Sequence, residues 1–159
     1  MTSLLKVDEI QDAAGKKILQ NTGSVLQVVQ STMTSTPSST STSFVDAGLS
    51  VTITPTSSSS KILVAADFTV GSGSSSGGMV IQLVRGSTSV FNRGVSYSAA
   101  GAVYSSNSFS HLDSPATTSA TTYKLQYLTQ AAASTAYFNA AYSGYTAPTA
   151  HITAIEISA

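Results

Sequence analysis

Residues 41–64 read STSFVDAGLSVTITPTSSSSKILV, and nearly half of them are serine or threonine. That composition usually marks a flexible tether. Within it, however, Leu49, Val51 and Ile53 alternate with Ser50, Thr52 and Thr54. A period of two sends successive side chains to opposite faces, so the segment predicts a β-strand with one dry face and one hydroxylated face. Pro55 cannot donate to a sheet ladder and ends the strand, leaving Thr56 to Ser60 for the turn. The next run, KILVAADFTV (61–70), points Ile62, Val64, Ala66, Phe68 and Val70 one way and Leu63 and Ala65 the other. Both faces of this strand call for cover.

The same logic extends to the whole chain of 159 residues, which holds 30 serines and 21 threonines. Disorder goes with low hydrophobicity and high net charge. Here 42% of residues are hydrophobic and the seven acids balance the seven bases. Threonine is β-branched and suits a pleated, half-buried surface. The composition therefore predicts a folded β protein whose wet face uses hydroxyls instead of charges. Charged residues are only 9% of the chain, against roughly 25% in an average soluble domain. A neutral chain has no long-range field to gather nucleic acid or an anionic membrane, and neither is expected as a partner. No apolar run reaches the roughly 18 residues of a membrane span, so membrane insertion is not expected. The acids in MTSLLKVDEIQD argue against a signal peptide, and synthesis in a cytoplasm is expected. With no cysteine there is no thiolate or disulfide chemistry.

Charge also divides the chain. Lys6, Asp8, Glu9, Asp12, Lys16 and Lys17 crowd the first seventeen positions, leaving eight charged residues for all the rest. This predicts two parts: a segment 1–23, read as a short hairpin turning at Gly15, and a head domain 24–159. The segment is too small to hold a core, so it should dock on something larger. Helical spacing of Leu4, Val7, Ile10, Ala14 and Ile18 is the competing reading there. In the head, strands are expected at 25–30, 49–53, 61–70, 79–85, 88–92, 108–113, 123–130, 136–142 and 151–158. The pair 79–85 and 88–92 should form a hairpin across Gly86-Ser87. Stretches 71–78 and 94–107, rich in Gly, Ser and Ala, read as long loops. Many short strands without a convincing helix predict an all-β antiparallel jelly-roll sandwich.

Few residues suggest chemistry. Gly73-Ser74-Ser75-Ser76-Gly77 matches G-x-S-x-G, and Asp113 and His151 follow in hydrolase order. A nucleophile elbow needs a helix leaving the serine, whereas MVIQLV leaves as a strand; the chain is read as a non-enzyme. His111 and Asp113 would share a strand face, but two ligands do not complete a metal site. No residue pattern calls for a cofactor. Five tyrosines cluster late in the chain. Tyrosine buries a ring while keeping a polar tip, which suits interfaces, although core packing explains it equally. Tyr123, Tyr127, Phe138 and Tyr142 are accordingly candidates for contact between copies. Ser74, Ser75, Ser76, Tyr97 and Tyr104, carried on the two long loops, are candidates for contact with an external surface.

The opening LLKVDEIQDAAGKKIL resembles the N-terminal signature of virion proteins of tailed bacteriophages, of marine and cyanophage type. STSFVDAGLSVTITPTSSSSKILV, IQLVRGSTSVF, LDSPATTSATTYKLQ and the closing ITAIEIS resemble the same group in the same order. The resemblance implies a fibre or decoration protein with a tumour-necrosis-factor-like jelly-roll head, assembled as a homotrimer. It implies virion localisation and attachment through Leu5, Val7, Ile10, Ile18 and Leu19 to a tail, portal-proximal or major capsid protein. The head would then contact a host surface glycan or protein. The alternative is a capsid decoration protein bound to the shell.

Overall fold

A computed structural model describes residues 23–73, 78–95, 103–141, 145–146 and 148–159. These form ten strands: β1 (Val25–Met33), β2 (Ser38–Ser39), β3 (Val45–Ile53), β4 (Lys61–Ser72), β5 (Met79–Arg85), β6 (Thr88–Val95), β7 (Val103–Asp113), β8 (Thr121–Thr129), β9 (Ala136–Phe138) and β10 (Ala150–Ile157). The segment 1–22, including Leu5, Val7, Ile10, Ile18 and Leu19, lies outside the described residues.

The strands pair as one long hairpin rolled on itself. From the tip backwards, β5 pairs β6, β4 pairs β7, β3 pairs β8 and β1 pairs β10, all antiparallel. Rolling brings β10 beside β4 and β5 beside β8, which closes two sheets. One sheet runs β1-β10-β4-β7, with β9 and β2 continuing past β10 along the same side of β4; the other runs β3-β8-β5-β6. This is a jelly-roll sandwich. Its tip is the Gly86-Ser87 turn anticipated from sequence, where Gly86 takes φ +59°, a conformation open to glycine at little steric cost.

The quoted stretch behaves as its alternation predicts. Ala47, Leu49, Val51 and Ile53 are buried, while Ser50 and Thr52 face water. On that wet face Thr52 Oγ1 meets Thr122 Oγ1 at 2.8 Å across β3 and β8, a cross-strand hydroxyl pair of modest value. β3 starts at Val45, earlier than expected, because Gly48 at φ +83° lets a bulge reset the register between Asp46 and Ser50. In β4, Ile62, Val64, Ala66, Phe68 and Val70 line the core, and Leu63 and Ala65 are half-buried on the opposite face. The loop read at 94–107 is shorter than expected, since β7 begins at Val103 and runs the length of β4. Serines at 105, 106 and 108 obscured the strand because their alternation is between side chains of similar polarity.

Rings fill the space between the sheets. Phe138 stacks on Phe68 at 4.9 Å and on Tyr127 at 6.0 Å, and Phe109 stacks on Phe91 at 4.9 Å. Tyr123, Tyr127 and Phe138 are 0–1% exposed within a single copy. The expectation that they contact another copy is therefore corrected: their strand face is the inner one, and the facing sheet already covers it. Tyr142 lies outside the described residues.

Two charged groups sit inside. Asp113 accepts from Arg85 Nη1 at 2.7 and 2.9 Å and from the Tyr123 hydroxyl at 2.7 Å. Glu156, fully buried on β10, accepts from Gln27 Nε2 at 2.6 Å, from the Thr56 backbone N–H at 2.7 Å and from the Thr56 hydroxyl at 2.8 Å. The same Gln27 amide donates to Thr54 O at 2.7 Å. The turn that follows Ile53 is thus tied to β1 and β10 through one carboxylate.

Burial works to raise the pKa of Glu156. The Gln27 amide, the adjacent Ser60 hydroxyl and both Thr56 donors outweigh it and hold the group at about 2, below its ordinary 4.5. The unfolded chain takes up this proton near 4.5 and the folded chain only near 2. Stability from this group is present above 4.5 and is lost as pH falls through that window. Denaturant midpoints measured at descending pH should drop there, and Glu156→Gln should flatten the drop.

Candidate binding cleft

A concavity among the described residues opens beside the Gly71 end of β4. It encloses about 360 Å³ and is lined by Thr69, Tyr104, Ser105, Ser106, Ala140, Ala141, Tyr145, Thr146 and Pro148. A smaller recess of about 80 Å³ lies beside Asp46 and Lys124, too small for more than a few waters. There the Gln126 amide, then Lys124, hold the Asp46 carboxyl below its usual range.

The larger cleft is built by Asn139. Directly after β9 this residue adopts φ +53°, a left-handed conformation that asparagine tolerates better than most residues. That turns the chain out of the sheet after only three residues of β9, where the sequence suggested a strand through 142. The buried Asn139 Nδ2 then donates to Met33 O, Ser35 O and Pro148 O at 3.1, 3.2 and 2.8 Å. Its backbone N–H donates to Thr69 O at 2.7 Å, and its carbonyl accepts from the Thr36 hydroxyl at 2.8 Å. Thr69 Oγ1 donates to Ala140 O at 2.6 Å. The far wall, made by Ala140, Ala141, Tyr145, Thr146 and Pro148, is thus pinned to β1, β4 and the segment after β1.

The near wall is Tyr104 on β7, which pairs with Gly71 across the ladder. A Cβ at Gly71 would lie 3.0 Å from the Tyr104 ring and 3.1 Å from Ala140 Cβ, so glycine makes room for the ring to lie on the sheet. Tyr104 is 36% exposed and Tyr145 76% exposed. Among the described residues, no carboxylate, amine, guanidinium or imidazole lines the cleft. Two phenol rings, alanine and proline surfaces and the hydroxyls of Thr69, Ser105, Ser106 and Thr146 define its chemistry. It suits a neutral ligand carrying both apolar faces and hydroxyl groups.

Of the residues singled out from sequence for surface contact, Tyr104 is at this cleft. Ser74, Ser75, Ser76 and Tyr97 lie outside the described residues. The hydrolase order does not become a triad, because Asp113 points into the core and His151 points out of the opposite face of the same sheet. Asp113 is engaged by Arg85 and Tyr123, and the His111 ring packs 5.8 Å from Phe91. These two residues share a face as expected but serve separate contacts. Sequence reasoning missed Asn139 and Gly71; an asparagine just after an apolar pair and a glycine at a strand end were the available signals.

No family model matches the chain, and no curated protein sequence does. Among solved structures, a chain in the structure of the infectious bursal disease virus Gx strain is similar at a TM-score of 0.42 and 12% identity. The match covers 98% of this chain and 42% of the viral one, so this chain spans less than half of that protein's length. The jelly-roll assignment rests on strand order, not on this likeness.

Proposed function

We propose that this chain is a structural component of a tailed-phage virion whose jelly-roll head contacts the host surface through the Tyr104–Tyr145 cleft. The observation that carries the reading is a cleft whose described lining holds no carboxylate, amine, guanidinium or imidazole and is flanked by tyrosines, on a sandwich whose wet faces carry hydroxyls. The ordered resemblance of its segments to phage virion proteins points to the particle. Residues 1–23 would attach the head to a tail, portal-proximal or major capsid protein. The ligand class that fits the cleft is a surface glycan: sugar C–H faces lie on tyrosine rings, and sugar hydroxyls exchange bonds with serine and threonine. Repeated heads on one particle would raise a weak single-site affinity.

Purified protein should bind host cells and compete with phage adsorption. Tyr104→Ala should weaken cell binding about tenfold, the loss of roughly 1.4 kcal/mol of contact, with little change in thermal unfolding because the ring is partly exposed. Gly71→Val should act similarly by displacing that ring. Absence of competition would sink the host-contact role. Copy number per particle separates an appendage from shell decoration, with hundreds of copies indicating decoration.

A further inference from the structure

The two sheets differ on their outer faces. On the β3-β8-β5-β6 sheet the outward side chains bond to one another: Thr52 with Thr122, Gln82 with Gln126, and Asp46 with both Gln126 and Lys124. The other sheet has an apolar row. Val28 is in register with Ile155, Ile155 with Leu63, and Leu63 with Leu112, so four aliphatic side chains cross all four strands in line. Val28 is 59% and Leu112 55% exposed, with Leu63 and Ile155 half-buried between them. A continuous apolar row on an exposed sheet face marks a contact surface.

The neighbouring rows indicate what covers it. Two residues along each strand lies a row of smaller or polar groups, Gln30, Thr153, Ala65 and Ser110. The outward acid and base of these four strands are Asp67 and Lys61, six residues apart on β4 and on opposite sides of the two rows, with His151 beside Asp67. At about 3.3 Å per residue they stand about 20 Å apart, too far to pair within one copy.

We infer that this face receives a second copy of the chain, packed face to face with the two β4 strands antiparallel. A two-fold axis in the interface, crossing the strands between the Leu63 and Ala65 rows, lays each aliphatic row over the partner's row of smaller or polar side chains. The same operation sets Lys61 of each copy against Asp67 of the partner subunit. A parallel arrangement would instead oppose like charges and bring the bulky rows together. A self-complementary patch of this kind is what an isologous dimer requires, and face-to-face sheets pack about 10 Å apart.

The full chain should sediment as a dimer at micromolar concentrations. Leu112→Lys, at an already exposed edge, and Leu63→Lys should each give a folded monomer with an unchanged circular dichroism spectrum. Lys61→Glu should weaken dimerisation about tenfold, and Lys61→Glu with Asp67→Lys should restore it. Zero-length carbodiimide coupling should join Lys61 to Asp67 of the partner subunit. A wild-type monomer throughout the concentration range, a trimer, or an assembly unaffected by Leu63→Lys and Leu112→Lys would overturn the inference. So would a double charge exchange that fails to restore what the single reversal lost.

Discussion

Phe138→Ala is expected to lower the unfolding free energy by about 4 kcal/mol, the usual cost of emptying a large aromatic site in a packed core. The ring is 0% exposed and lies between Phe68 and Tyr127, so its removal opens a cavity that two sheets would have to close. β9 is only three residues long, and Phe138 is its main apolar hold on the sandwich. Chemical denaturation measures the loss directly. Because the ring is buried within one copy, the loss should be the same at every protein concentration. A loss that shrank on concentrating the protein would return Phe138 to an interface between copies.

Arg85→Ala is expected to cost about 3 kcal/mol, because it leaves a buried carboxylate without its cation. The Arg85 side chain is 28% exposed and that of Asp113 10%, so the acid is the deeper partner. With the guanidinium gone, the Tyr123 hydroxyl is the remaining side-chain donor to Asp113. The network joins β5, β7 and β8 and therefore links the two sheets. Replacing the whole unit, with Arg85→Met, Asp113→Leu and Tyr123→Phe together, should recover most of the loss, since apolar groups of similar size remove the demand for partners. Equilibrium unfolding of the single and triple variants separates the two outcomes. Alkaline pH tests the same unit. Burial, then the hydrogen bond to Asp113, raise the Tyr123 phenol above its ordinary 10.0. The unfolded chain releases this proton first, so stability should fall as pH rises above 10.

The buried acid Glu156 was legible only in part. Glu156 shares inward parity with Ile152 and Ala154 on β10, and that alternation already places it on the core side. Its tolerance there depends on Gln27 and Thr56, far away in sequence, which no local pattern reveals. Tyr104 was recognisable as a residue suited to contact, yet it was assigned to a loop because Val103–Asn107 lacks strong apolar alternation. Register against β4 makes that stretch a strand, and Gly71 opposite gives the ring its place.

What the sequence by itself determined was periodicity: which residues alternate, where Pro55 and Gly86 interrupt the ladder, and that hydroxyls replace charges on the wet side. Period-two alternation is local, since neighbouring side chains on a strand must point oppositely. Which of the two faces is covered depended on the rolled hairpin and its pairings across the chain. Only that tertiary arrangement sent Tyr123, Tyr127 and Phe138 into the core, gathered Asn139 and Gly71 at one cleft, and aligned Val28, Ile155, Leu63 and Leu112 on an outer face. Burial is a property of the neighbours a strand acquires, and those neighbours are distant in sequence.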